Sequence, residues 1–309
     1  MDHFTQYLAE EVALDHAAGQ FSRREALRRL GLMGVSLTAA SALLAACGDD
    51  KETETTAPGA QTPTSATPTT AAPTTVAGPT TTRPATTPVP SQDITYPSPN
   101  GTIMGAYAAA AGTRKGAVVI IHQNMGLVDN IRAIVSRFAG DGYSALAVDL
   151  LSEEGGTAKV PAAQVSAALT NAGVSRARED IIATIDELVK RNAATKVGIT
   201  GFCFGGTVVW DFVTVGDARL AAATPFYGTT AEGVDFSKNK AAVLGIYGET
   251  DTRVNATRDA AKAGLAKFTV PYELKTYPGV GHGFYTQVDT EQSKAAYSDV
   301  LTWYEKYLK

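Results

Sequence analysis

The chain has 309 residues, of which 44% are hydrophobic and 19% are charged, and its formal net charge is −4. A mildly acidic chain without a basic excess is not expected to bind nucleic acid. Its two cysteines exclude a framework of several disulfide bonds. The stretch 93–309 is long enough to bury the core of one α/β domain, so a single globular domain is expected after an N-terminal extension.

The first 47 residues resemble an export leader. Residues 22–28 read SRREALR and resemble a twin-arginine signal, although Ala26 stands where a bulky residue is usual. The apolar stretch 30–46 spans about 17 residues and is rich in Ala, Gly and Ser, which makes it a poor stable membrane span. It leads into Leu44-Ala45-Ala46-Cys47, which resembles a lipobox whose cysteine would be diacylated after cleavage.

The order of arginine pair, apolar stretch and lipobox predicts an exported, extracytoplasmic lipoprotein of a bacterium, anchored to the membrane through a lipid on Cys47. A plain amphipathic N-terminal helix with a buried Cys47 is the alternative. Twin-arginine export carries folded proteins, so the second cysteine could be enclosed before it meets an oxidising compartment.

A segment of low complexity follows the leader. Residues 48–92 are mostly Thr, Pro, Ala and Gly. Such a segment has little apolar surface to bury, so it cannot offset the entropy lost on ordering, and its prolines keep it extended. The composition predicts a disordered stalk that holds the domain at 93–309 away from a surface.

The domain alternates short apolar runs with helical patterns. Residues 117–121 read AVVII, as expected of a strand buried on both faces. The alternation predicts an α/β fold with a doubly wound, mostly parallel sheet and flanking helices, preceded by an edge hairpin over 94–108. The predicted strands are 117–121, 144–148, 196–200, 220–226, 242–247 and 272–277, and the predicted helices are 131–138, 181–188, 207–215, 254–268 and 297–308.

The segment 201–206 reads GFCFGG and lies between a predicted strand and a predicted helix. Gly-x-Cys-x-Gly has the spacing of a nucleophile elbow, in which small residues allow a sharp turn that lifts the central side chain above the sheet. The dipole at the start of the following helix would stabilise a thiolate. This pattern therefore makes Cys203 a candidate nucleophile, although a lone cysteine is more often a small buried hydrophobe.

Two later residues complete a candidate triad. Asp251 follows the end of one predicted strand, and His282 lies in a Gly-rich loop after the next strand. Ligands and catalytic groups in open α/β sheets gather at the carboxyl ends of the strands, and the order nucleophile, acid, histidine is that of α/β-hydrolases. Taken alone, Asp251 could be a turn or cap residue and His282 a loop-packing residue. Taken together, they predict a Cys203–His282–Asp251 triad.

The triad defines a mechanism for an ester or lactone substrate. His282 would take the thiol proton of Cys203, and Asp251 would fix the imidazole tautomer. The oxyanion would be held by the backbone N–H of Phe204 and by a second donor from the loop 122–126, for which Asn124 N–H is predicted.

With these residues in place, the chain resembles the dienelactone hydrolase family over roughly 93–309. The resemblance rests on the segment 201–206, the turn at Asp251, the motif Gly281–Phe284 and the stretch from Gly142 to Leu150. It implies a hydrolase of ester or lactone bonds that uses a cysteine nucleophile and neither a metal nor an organic cofactor.

Three positions depart from the family pattern that the resemblance implies. Gln123 stands where a glutamate holds the resting cysteine, so control of Cys203 is expected to differ. Thr286 and Glu153 stand where arginines grip a substrate carboxylate, which argues against an anionic dienelactone as the preferred substrate. Arg253 could substitute for those arginines or form a surface salt bridge, and Tyr227 could line the pocket or simply pack.

We therefore predict a monomeric enzyme that binds a small-molecule ester or lactone. The main alternative is a non-catalytic, ligand-binding surface lipoprotein on a hydrolase scaffold, for which Gln123 is the only support. A redox-sensing cysteine is a weaker alternative, because the domain has no second cysteine to resolve an oxidised Cys203.

Overall fold

The structure is a computed structural model, and it describes residues 1–46, 86–192, 196–287 and 289–308. Cys47 and most of the predicted stalk lie outside the described residues. The described chain begins with three helices, which pack on one another and precede an α/β domain. These helices are α1 (His3–Ala17), α2 (Arg23–Leu32) and α3 (Leu37–Ala46).

An eight-stranded sheet forms the centre of the domain, in the order β1-β2-β4-β3-β5-β6-β7-β8. The pairs β1–β2 and β2–β4 are antiparallel, and all other neighbouring pairs are parallel. The predicted fold class is therefore confirmed. The strands are β1 (Gln92–Ser98), β2 (Gly101–Ala108), β3 (Gly116–Ile121), β4 (Tyr143–Val148), β5 (Val197–Phe202), β6 (Leu220–Phe226), β7 (Ala242–Gly248) and β8 (Tyr272–Tyr277).

The central strands are buried on both faces because helices cover the sheet on each side. Every residue of β4, β5 and β7 is buried, as are the last five residues of β3. This explains why their sequences are continuous apolar runs without alternation. The edge hairpin predicted over 94–108 is present as β1–β2, and its turn consists of Pro99 and Asn100.

Two of the predicted helices differ most from the observed ones. The helix predicted over 254–268 is two helices, separated by a turn near Thr257, whose hydroxyl donates to Val254 O. The helix predicted over 181–188 extends much further towards its N-terminus and is interrupted at Gly173, where φ is 74°. The helices are α4 (Asp129–Gly140), α5 (Val165–Asn192), α6 (Phe204–Phe212), α7 (Thr252–Asn255), α8 (Arg258–Leu265), α9 (Phe284–Gln287) and α10 (Glu291–Tyr307).

The N-terminal helices pack against the α/β domain. Helix α1 contacts α5 and α6, and α2 also contacts α5. The apolar face of α1 consists of Phe4, Tyr7, Leu8 and Val12, which are at most 4% exposed. The apolar stretch 30–46 is divided between the end of α2 and α3, and none of the described helices is long and apolar enough to cross a membrane.

The domain also begins slightly earlier than its predicted boundary at residue 93. Strand β1 starts at Gln92, and the N–H of Val89 donates to the carbonyl of Ser136 in α4. Residues 86–92, which the composition assigns to the stalk, therefore lead directly onto the domain surface.

Candidate active site

Cys203 occupies a sharp turn between β5 and α6. Its backbone has φ 59° and ψ −119°, a conformation that L-residues rarely adopt. The turn is possible because Gly201 and Gly205 carry no side chain. A side chain on Gly201 would collide with the carbonyl of Gly205, and one on Gly205 would collide with the carbonyls of Ile121 and His122. These close backbone approaches explain the glycines on either side of Cys203 and match the predicted nucleophile elbow.

The turn directs the thiol toward the carboxyl ends of the parallel strands. The N–H of Cys203 donates to Phe226 O at 3.1 Å, which ties the elbow to β6. The N–H of Phe204, at the start of α6, donates to the sulfur of Cys203. The side chain is buried, at 3% exposure, so its charge state depends on these few neighbours.

Asp251 and His282 meet above the ends of β7 and β8. His282 Nδ1 and Asp251 Oδ2 are 2.6 Å apart, the length of a strong charge-assisted hydrogen bond. Asp251 also caps α7 by accepting from Val254 N at 3.2 Å. The catalytic and capping interpretations of Asp251 are thus compatible, because its two carboxylate oxygens serve different partners.

The structure brings the three predicted residues together. The sulfur of Cys203 and a ring nitrogen of His282 lie within 4.8 Å of each other, together with a carboxylate oxygen of Glu11. Thiolate, imidazole and carboxylate are all metal ligands, so this cluster has the donor set of a metal site. The same cysteine and histidine atoms are the ones that the predicted triad requires, so a bound metal and the predicted triad would exclude each other.

Electrostatics in the cluster favour a thiolate–imidazolium pair. Burial raises the pKa of the Cys203 thiol, but the charge of His282 and hydrogen bonds from His282, Tyr7 and Phe204 outweigh burial and leave this pKa below its ordinary value. Burial likewise lowers the pKa of His282, but the Cys203 charge and the hydrogen bond to Asp251 raise it to about 9. The two groups titrate as a coupled pair, and each favours the charged form of the other.

Tyr7 of α1 reaches into this pair, and the sequence analysis did not identify it. Its hydroxyl donates to Cys203 Sγ at 3.2 Å and lies 3.4 Å from His282 Nε2. Burial and the nearby Cys203 charge raise the pKa of Tyr7 well above its ordinary value, so the phenol stays protonated and acts as a donor. The only available signal was the apolar spacing of Phe4, Tyr7, Leu8 and Val12 ahead of the arginine pair.

Arg253 also contacts α1. Its guanidinium forms an ion pair with Glu11 and lies 3.5 Å from Glu10 Oε2. Glu11 is in turn 3.6 Å from His282 Nε2. The Glu11 carboxylate therefore lies between Arg253 and His282, and the buried Nε of Arg253 has no hydrogen-bond partner among the described residues.

The two hydrogen bonds of the Gln123 side chain go to residues other than Cys203. Its amide donates to Thr286 Oγ1 at 2.7 Å and accepts from Asn130 at 3.2 Å. It therefore links the loop 122–126 to α9, and Tyr7 lies beside the sulfur instead. Asn124 is partly buried in the same loop, which lies against the start of α6.

The remaining pocket candidates have structural partners. Tyr227 is fully buried, and its ring meets the His282 ring edge to face at 5.0 Å, so it supports the histidine. Glu153 is paired with Arg176. His122 is fully buried between Gln123 O at 2.6 Å and Leu150 N at 3.1 Å, and burial lowers its pKa, so it is a neutral structural residue.

Comparison with known proteins identifies similar chains over the α/β domain. The model of the dienelactone hydrolase family matches residues 103–308. A protein of Salmonella typhimurium named "Putative carboxymethylenebutenolidase" is 29% identical over 248 residues, which are 72% of this chain and 86% of the relative. A protein of the same name from Saccharolobus solfataricus is 26% identical over 254 residues, which are 71% of this chain and 98% of the relative.

Solved structures share the fold. A dienelactone hydrolase-like promiscuous phosphotriesterase from metagenomic libraries superposes with a TM-score of 0.62 at 21% identity, covering 71% of this chain and 98% of the other. A dienelactone hydrolase from Anabaena variabilis superposes with a TM-score of 0.55 at 17% identity, covering 72% of this chain and 100% of the other.

The coupled titration of Cys203 and His282 predicts the pH range over which the thiolate–imidazolium pair exists. As pH rises, the thiolate forms at the lowered pKa of Cys203, and its imidazolium partner is lost only as pH passes about 9, the pKa of His282. In Asp251→Asn the imidazolium loses its carboxylate, so the Cys203 thiolate should form at a pH higher by about one unit or more. The ultraviolet absorbance of the thiolate, followed against pH in a Cys47→Ala background, measures this shift.

The matched control is Asp235→Asn, which removes a carboxylate whose hydrogen bonds within the described part of the chain go to Ser237 alone. It should leave the thiolate titration unchanged. A titration of Asp251→Asn that coincides with the control would contradict the assigned role of Asp251.

Proposed function

The chain belongs to the dienelactone hydrolase family and is a hydrolase of ester or lactone bonds, and on this premise we propose that it acts through a thioester formed on Cys203. The observation that carries the proposal is the chain of contacts from Asp251 through His282 to the buried thiol of Cys203. This arrangement supports the roles of nucleophile for Cys203, base for His282 and orienting acid for Asp251.

The proposed reaction has two steps. The Cys203 thiolate attacks the substrate carbonyl carbon, and the tetrahedral intermediate collapses as the bond to the leaving oxygen breaks and His282 donates its proton to that oxygen. His282 then takes a proton from water, whose oxygen attacks the thioester and releases the acid and the thiolate. In a lactone the leaving oxygen stays attached to the product, because the ring opens.

Backbone donors would stabilise the negative oxygen of the tetrahedral intermediate. The N–H of Phe204 already points at the sulfur, so it is close to a carbonyl oxygen attached to the acylated cysteine. The loop that contains Asn124 lies against the same turn and supplies the proposed second donor. Each such donor is typically worth about 3 kcal/mol of transition-state stabilisation.

The mechanism predicts that Cys203→Ala and His282→Ala each lower kcat on a neutral aryl ester by about 10⁴-fold or more, because nucleophile and base act as one unit. Circular dichroism and thermal unfolding should show that both variants remain folded. The assay compares the intact chain with a chain whose first 46 residues have been removed. Turnover of Cys203→Ala within tenfold of the parent in either form would exclude the thioester route.

The mechanism does not determine whether the enzyme prefers a carboxylated or a neutral substrate. Arg253 is the residue that bears on this preference. Thr286 and Glu153 replace the cations that the family pattern leads one to expect, and Glu153 is paired with Arg176. Arg253 instead holds the carboxylate of Glu11 at a short distance from His282. We propose that a substrate carboxylate can take the position of the Glu11 carboxylate, so that Arg253 favours carboxylated over neutral lactones.

Replacing Arg253 by Gln should lower the ratio of kcat/KM for a carboxylated dienelactone to kcat/KM for a neutral enol lactone by about tenfold, because a charge-assisted hydrogen bond is lost. The ratio is the informative quantity, since a change in access to the site affects both substrates equally. Arg258→Gln is the matched control on the neighbouring helix and should leave the ratio unchanged. A parent enzyme that already prefers the neutral lactone would support the preference predicted from Thr286 and Glu153 instead.

We further propose that the protein is exported as a lipoprotein anchored through Cys47. The support is the order of the arginine pair at Arg23 and Arg24, the apolar stretch 30–46 and the lipobox-like sequence that ends at Cys47. A lipid at this position and the Thr/Pro-rich segment after it would hold the enzyme at a membrane surface.

Lipidation predicts that a bacterium expressing the chain and fed an alkyne-tagged fatty acid will label the protein, and that Cys47→Ala will abolish the label. Replacing both Arg23 and Arg24 by Lys should retain the unprocessed protein in the cytoplasm if export uses the twin-arginine route. Equal labelling of the parent and of Cys47→Ala would favour an ordinary N-terminal helix.

A further inference from the structure

Helix α1 fills the space directly above the nucleophile. Its residues Phe4 and Tyr7 are almost completely buried, and the Phe4 ring meets the Phe204 ring edge to face at 5.4 Å. Phe204 is the residue whose N–H points at the sulfur of Cys203. The aromatic face of α1 therefore packs on the elbow itself.

The hydroxyl of Tyr7 occupies the position that a substrate needs. It lies 3.2 Å from Cys203 Sγ and 3.4 Å from His282 Nε2, between the atom that must attack a carbonyl carbon and the atom that must protonate the leaving oxygen. A substrate in a reactive geometry must place its own atoms about 3 Å from both groups. Tyr7 and a bound substrate are thus mutually exclusive.

Polar contacts on both sides of Tyr7 hold the helix in this position. Toward the N-terminus, His3 Nε2 lies 3.1 Å from Thr229 Oγ1. Toward the C-terminus, Glu11 pairs with Arg253, whose guanidinium also covers the Tyr7 ring at 4.4 Å. The helix is thereby fixed by packing, hydrogen bonding and charge.

We propose that α1 is an intramolecular plug that keeps the catalytic cysteine closed until the N-terminal segment is removed. The proposal rests on the proposed hydrolase function and connects it with the predicted cleavage before Cys47, which would separate residues 1–46 from the domain. A released helix of this length is marginally stable in water, so it would not compete strongly with a substrate. The precursor would then be a latent enzyme, and the processed form an active one.

The plug is tested in the full-length chain with Cys47→Ala as background, so that Cys203 is the only thiol. Two variants loosen α1: Tyr7→Ala, and Phe4→Ala, which leaves the hydrogen bond between Tyr7 and the sulfur in place. The control is Leu14→Ala, which lies on the same helix with 39% of its surface exposed. The readouts are the rate of alkylation of Cys203 by iodoacetamide and the turnover of a neutral aryl ester.

Both loosening variants should raise the alkylation rate and the ester turnover by at least about tenfold, because truncation of a buried aromatic side chain weakens packing strongly. Leu14→Ala should match the background protein. Thermal unfolding of each variant checks that the α/β domain is intact, since none of the three residues belongs to it.

Three other results have distinct meanings. Lower turnover in both variants would overturn the plug and make α1 a working part of the substrate pocket. Unchanged alkylation and turnover, with turnover still abolished by Cys203→Ala, would also overturn the plug while leaving the hydrolase mechanism in place. Faster alkylation without turnover of any ester or lactone would support the plug and reject the hydrolase mechanism.

Discussion

The candidate active site depends on the close approach of backbones around Cys203. The left-handed conformation at this residue is maintained because Gly201 and Gly205 let the strand, the helix and the neighbouring loop touch without side chains between them. A larger residue at either glycine would displace backbone atoms rather than a flexible side chain. The position of the sulfur relative to His282, and hence the shared charge of the pair, follows from this contact.

The sheet could be predicted from sequence, because the runs in β3 to β7 are apolar on both faces and therefore lack an alternating pattern. The proximity of the three residues could also be anticipated, since Cys203, Asp251 and His282 each follow a strand end. The division of the helix predicted over 254–268 into two helices could not be predicted from the sequence. The turn near Thr257 depends on a local side-chain hydrogen bond, which hydrophobic periodicity does not report. The break at Gly173 lies outside the pattern that predicted the helix over 181–188, because periodicity reports which face of a helix is buried and not where the backbone bends.

The largest difference between sequence and structure lies in the N-terminal segment. Its motifs describe what an export system would recognise, and nothing in them indicates where the segment packs. Tyr7, Glu11 and Arg253 meet across more than 240 positions of sequence, a contact that no local pattern contains. The proposed export signal and the proposed plug can thus belong to the same N-terminal segment, because the signal depends on residues 22–47 and the plug depends on α1.

The order of strands also has a mechanical consequence. The segment that follows Cys47 joins the domain at β1, on one edge of the sheet, whereas Asp251 and His282 follow β7 and β8 at the opposite edge. A pull applied through a tether at Cys47 would first load the contacts that Thr86 and Val89 make with Asp141 and Ser136, and then the β1–β2 hairpin. These contacts and the hydrogen bonds between the two strands would take up the strain. The distance between Asp251 and His282 would then be insulated from movement of the membrane to which we propose that Cys47 is anchored.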